Sequence, residues 1–107
     1  MKIWVDDVRP APKGYVWCKS VNEVIRFIKN TETMFWIMKE KEKWRIELID
    51  LDYDSGDYEK DGGPYIKIMD WLVERGTLYP LAFHSQNCVG MEYMKRMYRR
   101  YWLGESL

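Results

Sequence analysis

The sequence predicts a small α/β domain built on a mostly parallel sheet. Short apolar runs of strand length alternate with stretches of helical period, the pattern of strands joined by helical crossovers. A length of 107 residues suits one hydrophobic core and leaves no room for a second, so residues 1–107 are expected to form one domain. Hydrophobic residues at 47% against 32% charged support a packed interior and argue against disorder.

Ile3 to Val5 form a short apolar run ending in Asp6 and Asp7, and Pro10 and Pro12 then break regular structure, so a buried strand leads into a loop. Tyr15 to Cys18 offer a second strand. Ser20-Val21-Asn22-Glu23 has the form of a capping box. Val21, Val24, Ile25 and Ile28 follow at i, i+3, i+4 and i+7 on one helical face. The aromatic and branched segment from Thr33 to Lys43 is expected to be a hairpin. Trp44 to Leu51 predict a strand that becomes buried on both faces towards its carboxyl end. Residues 50–63, DLDYDSGDYEKDGG, are too polar and glycine-rich for an element interior and predict a surface loop. Pro64 suits a first helical position, with Ile68, Met69, Leu72 and Val73 as an apolar stripe and Gly76 as the C-terminal cap. Leu78 to Phe83 predict a strand that delivers His84, Ser85, Gln86 and Asn87 at its carboxyl end. Asn87 caps a last helix in which Val89, Tyr93, Met97 and Tyr101 are expected on the packed face, with Lys95, Arg96, Arg99 and Arg100 opposite.

Lys plus Arg and Asp plus Glu each number 17, so net charge gives no reason to expect duplex DNA or a membrane surface as partner. The basic quartet of the last helix reads as a solvated face. Cys18 and Cys88 lack metal-type spacing and a disulfide framework, which predicts two reduced thiols. The N-terminal residues have neither signal-peptide nor transit-peptide character, and no run reaches membrane-spanning length, so a cytoplasmic location is expected.

In open parallel sheets, ligands sit beyond the carboxyl ends of the strands near a switch in strand order. Asp6 and Asp7 end one predicted strand and Asp52 and Asp54 another, so carboxylates distant in sequence are expected at one edge. Such charges repel unless a hard cation such as Mg²⁺ neutralises them, although isolated Asp residues also cap helices and form turns. His84, the only histidine, is the candidate for proton transfer near neutral pH, and Ser85 a candidate donor to a phosphate oxygen. Arg9 suits either a phosphate clamp or a brace for the carboxylates. Asn87 and Gly90 flank the start of the last helix, where free amides can receive an anion or simply be capped. Asp50, Asp52, Asp54 and Asp61 mimic some positions of a calcium-binding EF-hand loop, but Ser55 occupies its glycine position and a strand precedes it.

With KIWVDDVRP at positions 2 to 10, LDYDSGD at 51 to 57 and HSQNCVGMEYM at 84 to 94, the chain resembles the cyclic-phosphate processing receiver domains. The resemblance implies a small three-layer receiver-like (flavodoxin-like) sandwich, here lacking an obvious fifth strand. It also implies a role in handling cyclic-phosphate or related phosphorylated nucleotide ends, with RNA repair as one setting. Carried over, the motif positions are Asp6, Asp7, Arg9, Asp52, Asp54, His84, Ser85, Asn87 and Gly90. Tyr53 stands where the pattern has histidine, and Cys88 where it has proline, so His84 alone remains for acid–base work.

The leading expectation is therefore a Mg²⁺- or Mn²⁺-assisted phosphoesterase processing cyclic phosphates or phosphorylated nucleotide or RNA ends. Asp6, Asp7 and Asp52 would hold the metal and His84 would transfer a proton. Arg9, Ser85, Asn87 and Gly90 would bind phosphate. Asp54 would orient His84 or complete the outer metal shell. A non-catalytic module binding a phosphorylated nucleotide or a protein is the alternative. A phosphoaccepting receiver comes third, because no fifth strand supplies the lysine that such receivers carry.

Overall fold

The computed structural model describes residues 1–105. Four parallel strands, β1 (Lys2–Val5), β2 (Tyr15–Cys18), β3 (Leu48–Leu51) and β4 (Leu81–Phe83), lie in the order β2-β1-β3-β4. Three helices, α1 (Val21–Ile37), α2 (Ile66–Arg75) and α3 (Cys88–Tyr101), complete the frame. The receiver-like α/β class and the absence of a fifth strand among the described residues are as expected.

Alternation along the strands sorts the two sheet faces. Ile3, Val5, Ile49, Leu51 and Leu81 pack in one cluster with Val21, Val24 and Ile28 of α1, Ile68, Met69 and Leu72 of α2 and Met94 of α3. All three helices therefore cover the same face. The other face carries Trp4 on β1, in register with Trp17 and Asp50 on its neighbours, and among the described residues no helix lies over it. Residues 6–14 cross that face instead, fixed where Trp4 Nε1 donates to the Arg9 carbonyl at 2.9 Å. The second helical layer of a sandwich is thus replaced by a nine-residue crossover. Nine residues with two prolines are fewer than the dozen or more that a helical crossover between parallel strands takes.

The capping residue of α1 is Ser20, whose hydroxyl accepts from the Glu23 amide at 3.1 Å and donates to Asp61 at 2.6 Å, so the cap also staples the loop after β3 to this helix. The expected hairpin over Thr33 to Lys43 is not formed. α1 runs on to Ile37, and a single 3-10 turn follows at Lys41–Trp44. Extending an existing helix costs less than forming a two-stranded hairpin with no sheet to join. Lys41 Nζ then donates to the Phe35 carbonyl at 2.6 Å, placing a cation at the helix C-terminus. The strands of β3 and β4 are also shorter than expected, because that 3-10 turn precedes β3 and Pro80, which has no N–H to give, precedes β4. Pro64 stands one turn ahead of α2, whose amides at Lys67 and Ile68 bond to the carbonyls of Pro64 and Tyr65. Gly76 closes α2 in the left-handed conformation, as predicted.

The packed face of α3 differs from the expected one. Val89, Tyr93 and Tyr101 are exposed, while Gly90 and Met94 are buried and Met97 and Tyr98 pack against the core. Gly90 sets this rotation. A Cβ there would collide with the Tyr53 ring, so the helix turns its one residue without a side chain towards that ring. Gly90→Ala is expected to destabilise the fold by about 1–3 kcal/mol through overpacking, despite alanine's better helix propensity. Urea unfolding of the variant measures it.

Candidate metal and phosphate site

The polar residues gather at the carboxyl ends of β1, β3 and β4, where the chain order switches between β1 and β3. Asp6 follows β1 directly and is 1% exposed. Its Oδ1 accepts from the amides of Val8 at 2.9 Å and Arg9 at 2.7 Å, which folds the start of the crossover around it. Its Oδ2 meets His84 Nε2 at 2.9 Å, and His84 Nδ1 meets Asp50 Oδ1 at 2.7 Å. The imidazole lies flat on Trp4, with ring centroids 3.6 Å apart and planes 5° from parallel. Both nitrogens and one face of the only histidine are thereby engaged.

Asp7 and Asp52 complete a cluster. One ligand atom from each of Asp6, Asp7 and Asp52 lies within 4.8 Å of the others. Asp52 follows β3, its amide donating to the Val5 carbonyl at 2.9 Å, and its Oδ1 accepts from the Tyr53 amide at 2.7 Å. Asp7 fits against Gly56, which has a positive φ of 54° and where a Cβ would strike the Asp7 carboxylate. Only glycine combines that backbone with that approach.

The electrostatics separate the two carboxylates. Burial alone raises the Asp6 carboxyl, but the Arg9 and Val8 amides and the His84 imidazole outweigh it and hold Asp6 below the usual range. Burial also raises Asp52, and the Asp6 charge adds to it; the Ser85 hydroxyl and Tyr53 amide compensate only in part, so Asp52 stays above the usual range. Asp52 is thus the member of the cluster whose charge lacks sufficient compensation from the protein. Three hard oxygen donors with one underneutralised carboxylate fit Mg²⁺ or Mn²⁺, and they do not fit a soft metal.

The remaining sequence candidates divide. Ser85 lies beside Asp52 and accepts from the Asn87 amide at 3.1 Å. Arg9 is exposed; its backbone, through the amide to Asp6, braces the site and leaves the guanidinium outside. Asp54 is exposed and takes only a long contact of 3.5 Å from Asn87 Nδ2. It does not orient His84; Asp50 does, because Asp54 lies beyond the strand end whereas Asp50 stands within β3 on the face that carries Trp4. Asn87 caps α3 by accepting from the Gly90 amide at 2.9 Å. Gly90 is corrected as a substrate-binding residue: its amide is taken by that cap and its Cα is covered by Tyr53. Asp50 and Trp4 escaped the sequence-based selection, although the alternation Asp50, Asp52 at i and i+2 placed both carboxylates on one strand face. The two thiols are free, and burial pushes Cys18 up to about 12, which leaves it inert.

A parallel sheet in this order, with an acidic cluster at the switch between its two central strands, defines a receiver-like α/β protein. The family model of the cyclic-phosphate processing receiver domain matches residues 1–100, and the chain belongs to that family. No curated protein and no solved structure matches the chain. Among the described residues no helix is long and apolar enough to cross a membrane.

Proposed function

We propose that this receiver domain is a metal-dependent phosphoesterase that hydrolyses a cyclic phosphate on a nucleotide or RNA end. The observation that carries this reading is the convergence of Asp6, Asp7 and Asp52 within 4.8 Å at the strand-order switch, in a chain of the cyclic-phosphate processing family. Mg²⁺ or Mn²⁺ held by these three carboxylates would supply Lewis acidity at the phosphoryl group.

The chain's own side chains supply the rest. The Ser85 hydroxyl, beside Asp52, binds a phosphate oxygen, and the exposed Arg9 guanidinium folds in from solvent onto a second. Water adds to phosphorus, one ring P–O bond breaks, and the released sugar oxygen takes a proton, leaving a phosphomonoester. His84 gives that proton from Nε2, which leaves its bond to Asp6 Oδ2 to reach the sugar oxygen, and recovers a proton from the attacking water. The experiment is turnover of a panel of 2′,3′- and 3′,5′-cyclic phosphates with Mn²⁺ or Mg²⁺. Product is expected from the wild type and not from Asp52→Asn or His84→Ala; a folded, metal-loaded protein that leaves every substrate intact would sink the reading.

The engagement of both His84 nitrogens supports one second reading, a non-catalytic module that binds the same phosphorylated end. Calorimetry showing tight binding, with the ligand recovered unchanged, would favour it.

A further inference from the structure

We propose that Asp50 is a positioning residue which, acting through His84, fixes the Asp6 carboxylate in the orientation that receives the cation. The proposal rests on the metal-site reading above.

Asp50 lies in β3, in register with Trp4 of β1 and Ala82 of β4, on the sheet face that no helix covers. Its side chain is 15% exposed, and its only ion-pair partner among the described residues is His84, at 2.7 Å. A carboxylate in the middle of a strand, with partial desolvation and a single partner, is an unfavourable choice for stability alone. Its placement explains the geometry of its neighbours. The bond to Nδ1 fixes the imidazole in its plane, and the parallel stack on Trp4 prevents that plane from tilting. Nε2 is then aimed at Asp6 Oδ2, while the Val8 and Arg9 amides hold Asp6 Oδ1 from the other side. The Asp6 carboxylate is fixed at both oxygens; Oδ1 is filled by its two amide bonds, and Oδ2, bonded only to His84, keeps a lone pair for the cluster. Partners that orient a ligand from behind typically govern about 10–100-fold in metal affinity.

Mn²⁺ binding to the full chain without substrate, read from the free-ion signal in electron paramagnetic resonance, tests this independently of turnover. Asp50→Ala is expected to weaken Mn²⁺ binding about 10–100-fold, whereas Asp50→Asn, whose amide oxygen can still accept from Nδ1, stays near the wild type. Adding Asp50→Ala to His84→Ala should cause no further loss, because the path from Asp50 runs through the ring. A charge acting directly on the site would instead make Asn as damaging as Ala and the two losses additive, which overturns the proposal. Unchanged affinity in Asp50→Ala also overturns it while leaving the metal site standing. A wild type that binds no Mn²⁺ overturns both. Thermal melts verify folding, and Asp50→Ser, too short to reach Nδ1, replaces Ala in the cycle if the alanine variant does not fold.

Discussion

Asp52→Asn is expected to raise the melting temperature of the metal-free protein at neutral pH, while Mn²⁺ or Mg²⁺ is expected to stabilise the wild type and not the variant. Burial first, and then the Asp6 charge, raise the Asp52 carboxyl. An acid whose folded pKa lies above its unfolded value loses stability as pH rises between the two, and the full cost is present above the folded value. At neutral pH the wild type carries that cost. Asparagine keeps the shape, loses the charge and should gain about 0.5–2 kcal/mol, as substitutions that relieve a strained site commonly do. A bound metal would relieve the same charge by a different route: at one hundred times its dissociation constant it would add about 2.7 kcal/mol to a protein that binds it only when folded. The variant forfeits that gain. Paired melts with and without Mn²⁺ therefore show opposite orders of stability for the two proteins, and a variant less stable than the wild type in both conditions would contradict the account.

The same residues show why parts of this structure were readable from sequence and parts were not. Strand ends were readable because the transition from Ile3–Val5 to Asp6-Asp7, or from Leu51 to Asp52, changes chemistry within one residue. That placed the three carboxylates of the cluster correctly at one edge, though they are distant in sequence. Helix starts were readable where a capping side chain marks them, at Ser20 and Asn87. Rotation of α3 was not, because periodicity permits several neighbouring stripes, and the choice depends on a contact between Gly90 and Tyr53 that is long in sequence. The extent of α1 was hidden for a similar reason: the strand propensity of Phe35, Trp36 and Ile37 counts only if a sheet edge is available to them. The partner of His84 is not legible in the sequence because Asp50 and Asp54 flank Asp52 at the same spacing, and only the register of β3 with β1 distinguishes the carboxylate over the bare face from the one beyond it. The missing helical layer follows from connection length, since the residues between β1 and β2 are too few and too rich in proline to make a crossover helix.

Asp6→Ala is expected to be the most damaging single change at the site, in stability as well as in metal binding. The carboxylate is 1% exposed and serves three partners, the amides of Val8 and Arg9 and the His84 ring. Alanine leaves all of them without that acceptor, at bonds that are partly buried. A buried donor left unpaired costs about 1–3 kcal/mol, and loss of one partner from a buried charged pair about 3–5 kcal/mol; some water will enter the space, so a loss of about 3 kcal/mol is the reasonable middle. The pH dependence has the opposite sign to that of Asp52. Bonds from the loop amides and from His84 outweigh burial and hold the Asp6 carboxyl below the ordinary value of 3.8. An acid depressed by folding contributes stability that is present above its unfolded pKa and is lost as pH falls through the folded one. Wild type and variant should therefore differ most near neutrality, and the difference should shrink as pH falls from that ordinary value towards the lower folded one. Urea unfolding at pH 7 and pH 3 separates this from simple cavity formation, because a cavity left by a removed side chain costs the same at both, and a constant difference would show that the charge of Asp6 is not what holds the crossover in place.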